Sequence, residues 1–141
     1  MTSYVVDTSI VVQRFIVDRF TPQVKILFSQ LQTGTDLVIP EFCLLECTNV
    51  FWKQVRFQGM PVSAAEYLIN DLLAVPFQIE PATGSLQQAL HIGTEHQLAV
   101  YDSVFIALAQ QLDVPLISVD ERQVRAAIAQ NVTIKPISEF S

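Results

Sequence analysis

Short runs of β-branched and apolar residues alternate along this chain with longer stretches of helical periodicity. In the runs that hold Tyr4-Val5-Val6, Leu37-Val38-Ile39 and Leu116-Ile117 the apolar residues are consecutive and do not alternate with polar ones. Tyr4-Val5-Val6, Asp36 to Ile39, Pro76 to Glu80, Leu116 to Val119 and Val132 to Lys135 read as strands. Helices are expected over Ser9 to Phe20, and behind Thr21 with Pro22 at the first position, running to about Gln32. Further helices are expected over Phe42 to Phe57, from a Ser63 cap to about Ala74, and over Ser85 to Gln97, Asp102 to Leu112 and Glu121 to Gln130. The Asp102 to Leu112 segment has a nearly all-apolar body and must be buried. A strand apolar on both faces needs cover on both sides. The alternating helices supply it, so the pattern implies an α/β fold with a central parallel sheet between two helical layers. In such sheets ligands collect beyond the carboxyl ends of the strands.

The chain has 141 residues and no repeat or linker divides it, so residues 1–141 read as a single domain. Half of the residues (50%) are hydrophobic, only 16% are charged, and mean hydropathy is +0.37. A real core can therefore form, and some apolar surface is expected to be covered by a partner. The net charge of -6 excludes a strongly basic, whole-surface nucleic-acid binder. It does not exclude a nucleic-acid substrate, because a local patch or bound cations can receive phosphates. Asp7 interrupts the first apolar stretch, and the longest unbroken apolar run is Val104 to Ala109. That is far short of the roughly 20 residues a membrane-spanning helix needs. Neither a signal peptide nor a membrane segment is expected. Two cysteines provide no disulfide framework, which fits a reducing, cytoplasmic compartment.

Four carboxylates stand at informative positions. Asp7 follows the first strand in VVDTS and Asp120 follows the fourth in LISVD, so both belong to one carboxyl edge. Asp102 opens the buried helix in YDSVFIALAQ, and Glu46 lies in the first turns of the long helix in PEFCLLECTNVFW. Singly, Asp7, Asp102 and Asp120 can each be helix N-caps. No cap explains Glu46, although Glu46, Asn49 and Lys53 share a helical face that solvent can cover. Jointly, the acids favour a shared site. Converging carboxylates repel one another and raise each other's pKa, and a hard divalent cation relieves this. Oxygen-only ligands without histidine select Mg²⁺ or Mn²⁺ over zinc. The fitting reaction is metal-assisted hydrolysis of a phosphodiester.

VVDTS, the Pro40 to Trp52 segment, YDSVFIALA and LISVD occur in this order over nearly the whole chain. In this the sequence resembles a PIN-domain ribonuclease, the VapC-type toxin of bacterial toxin–antitoxin pairs. The resemblance implies a three-layer α/β/α PIN-like fold and a Mg²⁺ or Mn²⁺ site formed by Asp7, Glu46, Asp102 and Asp120. It implies endoribonuclease activity on single-stranded RNA, a cognate antitoxin as inhibitor, and a homodimer. Ser9 and Thr8 match the family's hydroxyls beside the first acid. Ser118 matches a hydroxyl position before the last acid, and Asn49 a polar position one turn after the glutamate. Asp7 and Asp102 are expected on the principal ion, with Glu46 and Asp120 on a second ion or on its water. Ser9 is expected to hydrogen-bond a ligating carboxylate. Arg14, Lys53 and Arg56 are the candidate RNA contacts, each equally readable as a solvated charge.

Two other readings have less support. A non-catalytic PIN-fold module that only binds RNA or protein would keep the same fold. A phosphatase of the haloacid-dehalogenase kind also places an acid after its first strand, but needs a second Asp where this chain has Ser9. Cys43 and Cys47 with His91 and His96 do not have zinc-ligand spacing. No serine-hydrolase elbow, Walker loop or dinucleotide fingerprint occurs. Phe42, Phe51, Trp52 and Phe57 are expected in core or partner packing rather than as a base-stacking platform.

Overall fold

Four strands, β1 (Thr2–Val6), β2 (Thr35–Pro40), β3 (Gln78–Glu80) and β4 (Leu116–Ile117), pair in the order β3-β2-β1-β4, all parallel. The computed structural model describes residues 2–141. The helices are α1 (Thr8–Val11), α2 (Thr21–Ser29), α3 (Phe42–Gln58), α4 (Val62–Ala74), α5 (Leu86–His96), α6 (Val100–Leu112) and α7 (Glu121–Ala129). They flank the sheet, giving the expected three-layer α/β/α arrangement. Val5, Val6, Leu37, Val38, Ile39, Leu116 and Ile117 are all buried, as strands covered on both faces require. The buried run Ser103–Ala109 of α6 packs on β1, β2 and β4. No helix among the described residues is long and apolar enough to cross a membrane.

The strand order decides where chemistry can sit. From β1 the chain moves one way to β2 and β3, then returns to place β4 on the other side of β1. The reversal opens a crevice at the carboxyl ends of β1 and β4. Val6 pairs with Ile117 there, so the next residues, Asp7 and Ser118, emerge side by side.

The expected Ser9 to Phe20 helix is much shorter. It consists of α1 and one 3-10 turn, Val12–Arg14. The buried Gln13 side chain ends it by competing for backbone groups. Its Nε2 donates to the Ser9 carbonyl (3.0 Å), its Oε1 accepts from Phe20 N (2.8 Å), and its own carbonyl accepts from Thr21 Oγ1 (2.8 Å). Thr21 is spent on this latch and on Asp18 N, so it does not cap α2; Phe20 holds the cap position. Ser63 likewise lies inside α4 behind Pro61 and makes no cap bond. β3 begins at Gln78, not Pro76, because Phe77 N turns back onto the Val75 carbonyl (2.8 Å). The expected Val132 to Lys135 strand reduces to one bridge, Ile134 opposite Leu116. Gly59 ends α3 at φ +75°, a conformation that favours glycine.

Gly93 lets α5 approach the turn into α6. A Cβ there would lie 2.7 Å from the Leu98 carbonyl oxygen and 3.3 Å from Ser103 Oγ. Gly93→Ala gains helix propensity worth up to about 1 kcal/mol, but overpacking against backbone typically costs about 1–3 kcal/mol. Net destabilisation is expected, read as a lower midpoint in urea unfolding. A midpoint equal to or above that of the unchanged chain would show that the Leu98 turn gives way freely.

Candidate metal centre

Asp7 is the residue around which the crevice is built. Its peptide N–H extends the sheet by donating to the Ile117 carbonyl (3.3 Å), and its carboxylate turns back to cap α1. Oδ1 accepts from Ser9 Oγ (2.6 Å) and Ile10 N (3.2 Å), and Oδ2 accepts from Ser118 Oγ (2.5 Å). These three donors leave one side of Oδ2 without a partner, since an ionised carboxylate offers about four acceptor directions. Asp7 is 3% exposed, and burial pushes its pKa up to about 7 against the pull of those hydrogen bonds. The nearby Asp120 charge adds to the rise.

The end of β4 is shaped by the same hydroxyls. The ladder stops at Ile117, two residues earlier than the sequence pattern implies. Beyond it, Val119 N donates to Ser9 Oγ (3.1 Å) and Asp120 N donates to Ser118 Oγ (3.1 Å). Asp120 then caps α7 by accepting from Gln123 N (3.0 Å). Its side chain nevertheless stays exposed, so capping and a role at the edge are compatible.

Asp102 and Glu46 arrive from the helices. α6 begins at Val100, so Asp102 lies inside its first turn and caps nothing. Burial raises the Asp102 pKa, and the Asp120 charge raises it further, while Arg122 opposes both. The Arg122 Nη2 is itself committed to the Gln97 carbonyl (2.7 Å). Glu46 is half-buried on α3 and takes a 2.6 Å hydrogen bond from Thr8 Oγ1. Burial raises its pKa, Thr8 lowers it, and the Asp102 charge raises it. With its only proton given to Glu46, Thr8 accepts from the Cys43 thiol at 3.4 Å. Cys43 and Cys47 are both buried, and the Cys47 pKa is raised by its hydrogen bond to Cys43 and by burial.

The four acids are thus linked in a chain, since the Asp120 charge acts on Asp7 and Asp102 and the Asp102 charge acts on Glu46. They do not close into a cage. Among the described residues no three of His, Cys, Asp and Glu stand close enough to hold a metal ion between them. Nor does any of the four acids form a salt bridge, since the ion pairs among the described residues involve only Glu95 and Glu139. An all-oxygen donor set in which no acid is paired in a salt bridge suits the chemistry of a hard divalent ion. The residues therefore fit Mg²⁺ or Mn²⁺.

The remaining candidates divide. Thr8, Glu46, Asn49 and Lys53 line one cleft of about 580 Å³, with exposed Tyr101 as its opposite wall. Phe42 steadies Tyr101 edge-on, with ring centroids 5.5 Å apart. Arg14 instead lines a separate, larger cleft of about 760 Å³ with Lys25 and Asp71, which contains none of the four acids. The chemistry follows the acids and not the cavity size. Arg56 is exposed and its guanidinium lies over the Phe57 ring. Phe42, Phe51 and Phe105 pack inward, while Trp52 and Phe57 stay exposed. Two buried glutamines escaped the sequence reading. Gln13 carried no visible signal. Gln123 did, because D-x-x-Q from Asp120 is a capping-box spacing.

The sign of the Asp7 shift makes a stability prediction for metal-free protein. Its folded pKa of about 7 lies above the ordinary aspartate value of 3.8, so the folded state binds the extra proton. The stability from Asp7 is fully present below about pH 4 and is lost as pH rises through about 7. Asp7→Asn in EDTA should therefore raise stability at pH 8, on the order of 4 kcal/mol. It should also flatten the slope between pH 4 and 7 in urea titrations. An unchanged slope would mean that Asp7 is not the group being titrated.

The family model described as PIN domain matches residues 4–129. No curated protein matches the chain. Among solved structures, PAE2754 from Pyrobaculum aerophilum superposes with a TM-score of 0.72 at 19% identity, covering 98% of this chain and 92% of that one. VapBC2 from Rickettsia felis, bound to a DNA fragment from its promoter, gives 0.67 at 13% identity, covering 96% and 98%. Mycobacterium tuberculosis VapC20, a toxin that cleaves the sarcin–ricin loop, gives 0.67 at 19% identity, covering 87% and 94%. At such identities the neighbours attest the fold, and the family model covers most of the sequence. The chain belongs to the PIN domain family.

Proposed function

We propose that this chain is a VapC-type endoribonuclease, the toxin of a toxin–antitoxin pair. In this reading it hydrolyses phosphodiester bonds of single-stranded RNA with Mg²⁺ or Mn²⁺ held by Asp7, Glu46, Asp102 and Asp120. The observation that carries it is the group of carboxylates at the β1–β4 crevice, none of them in a salt bridge among the described residues, centred on a buried Asp7. The structural likeness to VapC toxins agrees with it. When bound, a divalent cation neutralises phosphate charge and makes a water more acidic.

The chain's own residues prepare that chemistry. Ser9, Ile10 and Ser118 fix both oxygens of Asp7, so one face of Oδ2 remains to receive a ligand. Thr8 holds Glu46 at the mouth of the cleft, placed to orient water. Lys53 and Asn49 continue along the same wall, where a phosphate and a base edge can be met. Water, not a side chain, is the nucleophile. Leu45, Trp52, Phe57, Tyr67 and Leu73 are exposed on α3 and α4, and supply apolar surface for an antitoxin and for a second copy. The proposed place of action is the cytoplasm.

Purified, antitoxin-free protein should cleave mixed RNA with Mn²⁺ and stop in EDTA. Asp7→Asn should lose about 100-fold or more while remaining folded, since even outer-shell partners of metal ligands are worth ~10–100-fold. Binding of RNA without cleavage would favour the non-catalytic module instead. Lys53→Ala should raise KM for RNA several-fold and reduce the salt slope by about 1, the signature of one lost phosphate contact. An unaltered slope would remove Lys53 from the RNA path.

A further inference from the structure

The buried side chain of Gln123, on α7, is connected to three of the four acids. It is 1% exposed. Its Nε2 donates to the backbone carbonyl of Asp102 (2.9 Å). Its Oε1 faces Ser118 Oγ at 3.3 Å, the same hydroxyl that donates to Asp7. Its backbone N–H donates to Asp120 Oδ1. One residue therefore touches the first turn of α6, the end of β4 and the cap of α7, and every partner either is an acid or holds one. We propose that Gln123 is a positioning residue that sets the spacing of Asp7, Asp102 and Asp120 for metal binding. This rests on the reading of those acids as a metal site.

The physical case is one of rigidity against repulsion. Three like charges on three separate elements relax by moving apart unless something ties the elements together. The Gln123 amide donates to the Asp102 carbonyl, and its oxygen takes the long arm of the Ser118 proton whose short arm is on Asp7, so it links helix and hydroxyl without adding charge. Aspartate or glutamate would add to the repulsion, and an apolar residue would leave the Ser118 and Asp102 groups unlinked. The methylene stem lies in the core, so the amide has no freedom to swing into solvent.

The test uses the full chain, freed of metal and titrated with Mn²⁺ by calorimetry, alongside cleavage of a single-stranded RNA oligonucleotide. Gln123→Met keeps the volume and removes the bond to the Asp102 carbonyl and the longer contact with the Ser118 hydroxyl. It should weaken Mn²⁺ binding by about tenfold or more. kcat should fall by a similar factor at fixed Mn²⁺, with KM for RNA changed by less than about twofold, the pattern of a group that does not touch substrate. Combined with Ser118→Ala, the losses should be less than multiplicative, because both act on Asp7 through one hydroxyl. Leu27→Ala, a core change on α2, should lower Tm without changing Mn²⁺ affinity. Should Gln123→Met fail to fold, Gln123→Asn tests the same point, since its amide is a methylene too short to span both partners. A folded variant of either kind that binds Mn²⁺ as the unchanged chain does overturns the role of Gln123 alone. An unchanged chain that binds no Mn²⁺ overturns the metal-site reading, and this inference with it.

Discussion

A carboxylate buried without a counter-ion organises one end of this molecule. Asp7 sits where the sheet changes direction, and the groups that hold it also terminate the neighbouring elements. The Ser9 hydroxyl bonds Asp7 and takes the Val119 amide, so one side chain ends β4 and orients the acid. Ser118 bonds Asp7 and takes the Asp120 amide, which carries the chain into α7. Remove the carboxylate and these hydroxyls lose their common acceptor. The cost of burying Asp7 is met by packing elsewhere, above all by α6 and the strands β1, β2 and β4. A site kept at such a cost is characteristic of function and not of stability.

Much of this was legible because strands apolar on both faces leave few arrangements. VVDTS and LISVD placed Asp7 and Asp120 on one edge, and the sheet order brings those strands side by side. Glu46 was legible as an acid that no cap explains, and its Thr8 partner is indeed across the crevice. Capping leaves Asp7 and Asp120 at the sheet edge: they cap α1 and α7, and Asp7 does so with the same carboxylate that Ser118 holds. Asp102 gave the opposite result, since its helix starts two residues earlier and the cap explanation falls away.

What escaped the sequence was decided by side chains reaching across loops. Ser9 to Phe20 has helical periodicity, yet Gln13 bonds groups four, seven and eight residues away and folds the segment back. Periodicity records which face is apolar. It carries nothing about a polar side chain that captures backbone amides. The expected last strand is also shorter than its pattern, a single bridge of Ile134 to Leu116. Gln123 was half-visible, because its spacing from Asp120 marks a helix start while its contact with Asp102 depends on tertiary placement.

The charge balance binds substrate and cation into one problem. The chain carries a net charge of -6, and its four candidate ligands lack a basic partner within salt-bridge distance. A phosphate chain approaching that edge in the absence of a cation meets a repulsive field. Lys53 is one positive charge on the cleft wall, set against Glu46 on the same wall. On the proposed reading, a divalent ion reverses the sign of the field where the phosphate must sit. RNA and cation therefore favour each other's binding, and linkage makes the effect reciprocal: whatever RNA gains from Mn²⁺, Mn²⁺ gains from RNA. The open lone-pair direction on Asp7 is then half of a site, whose other half arrives with the substrate. This also accounts for acids that share a neighbourhood without closing on a point. A cage of protein oxygens alone would satisfy the ion and leave it less to offer a phosphate.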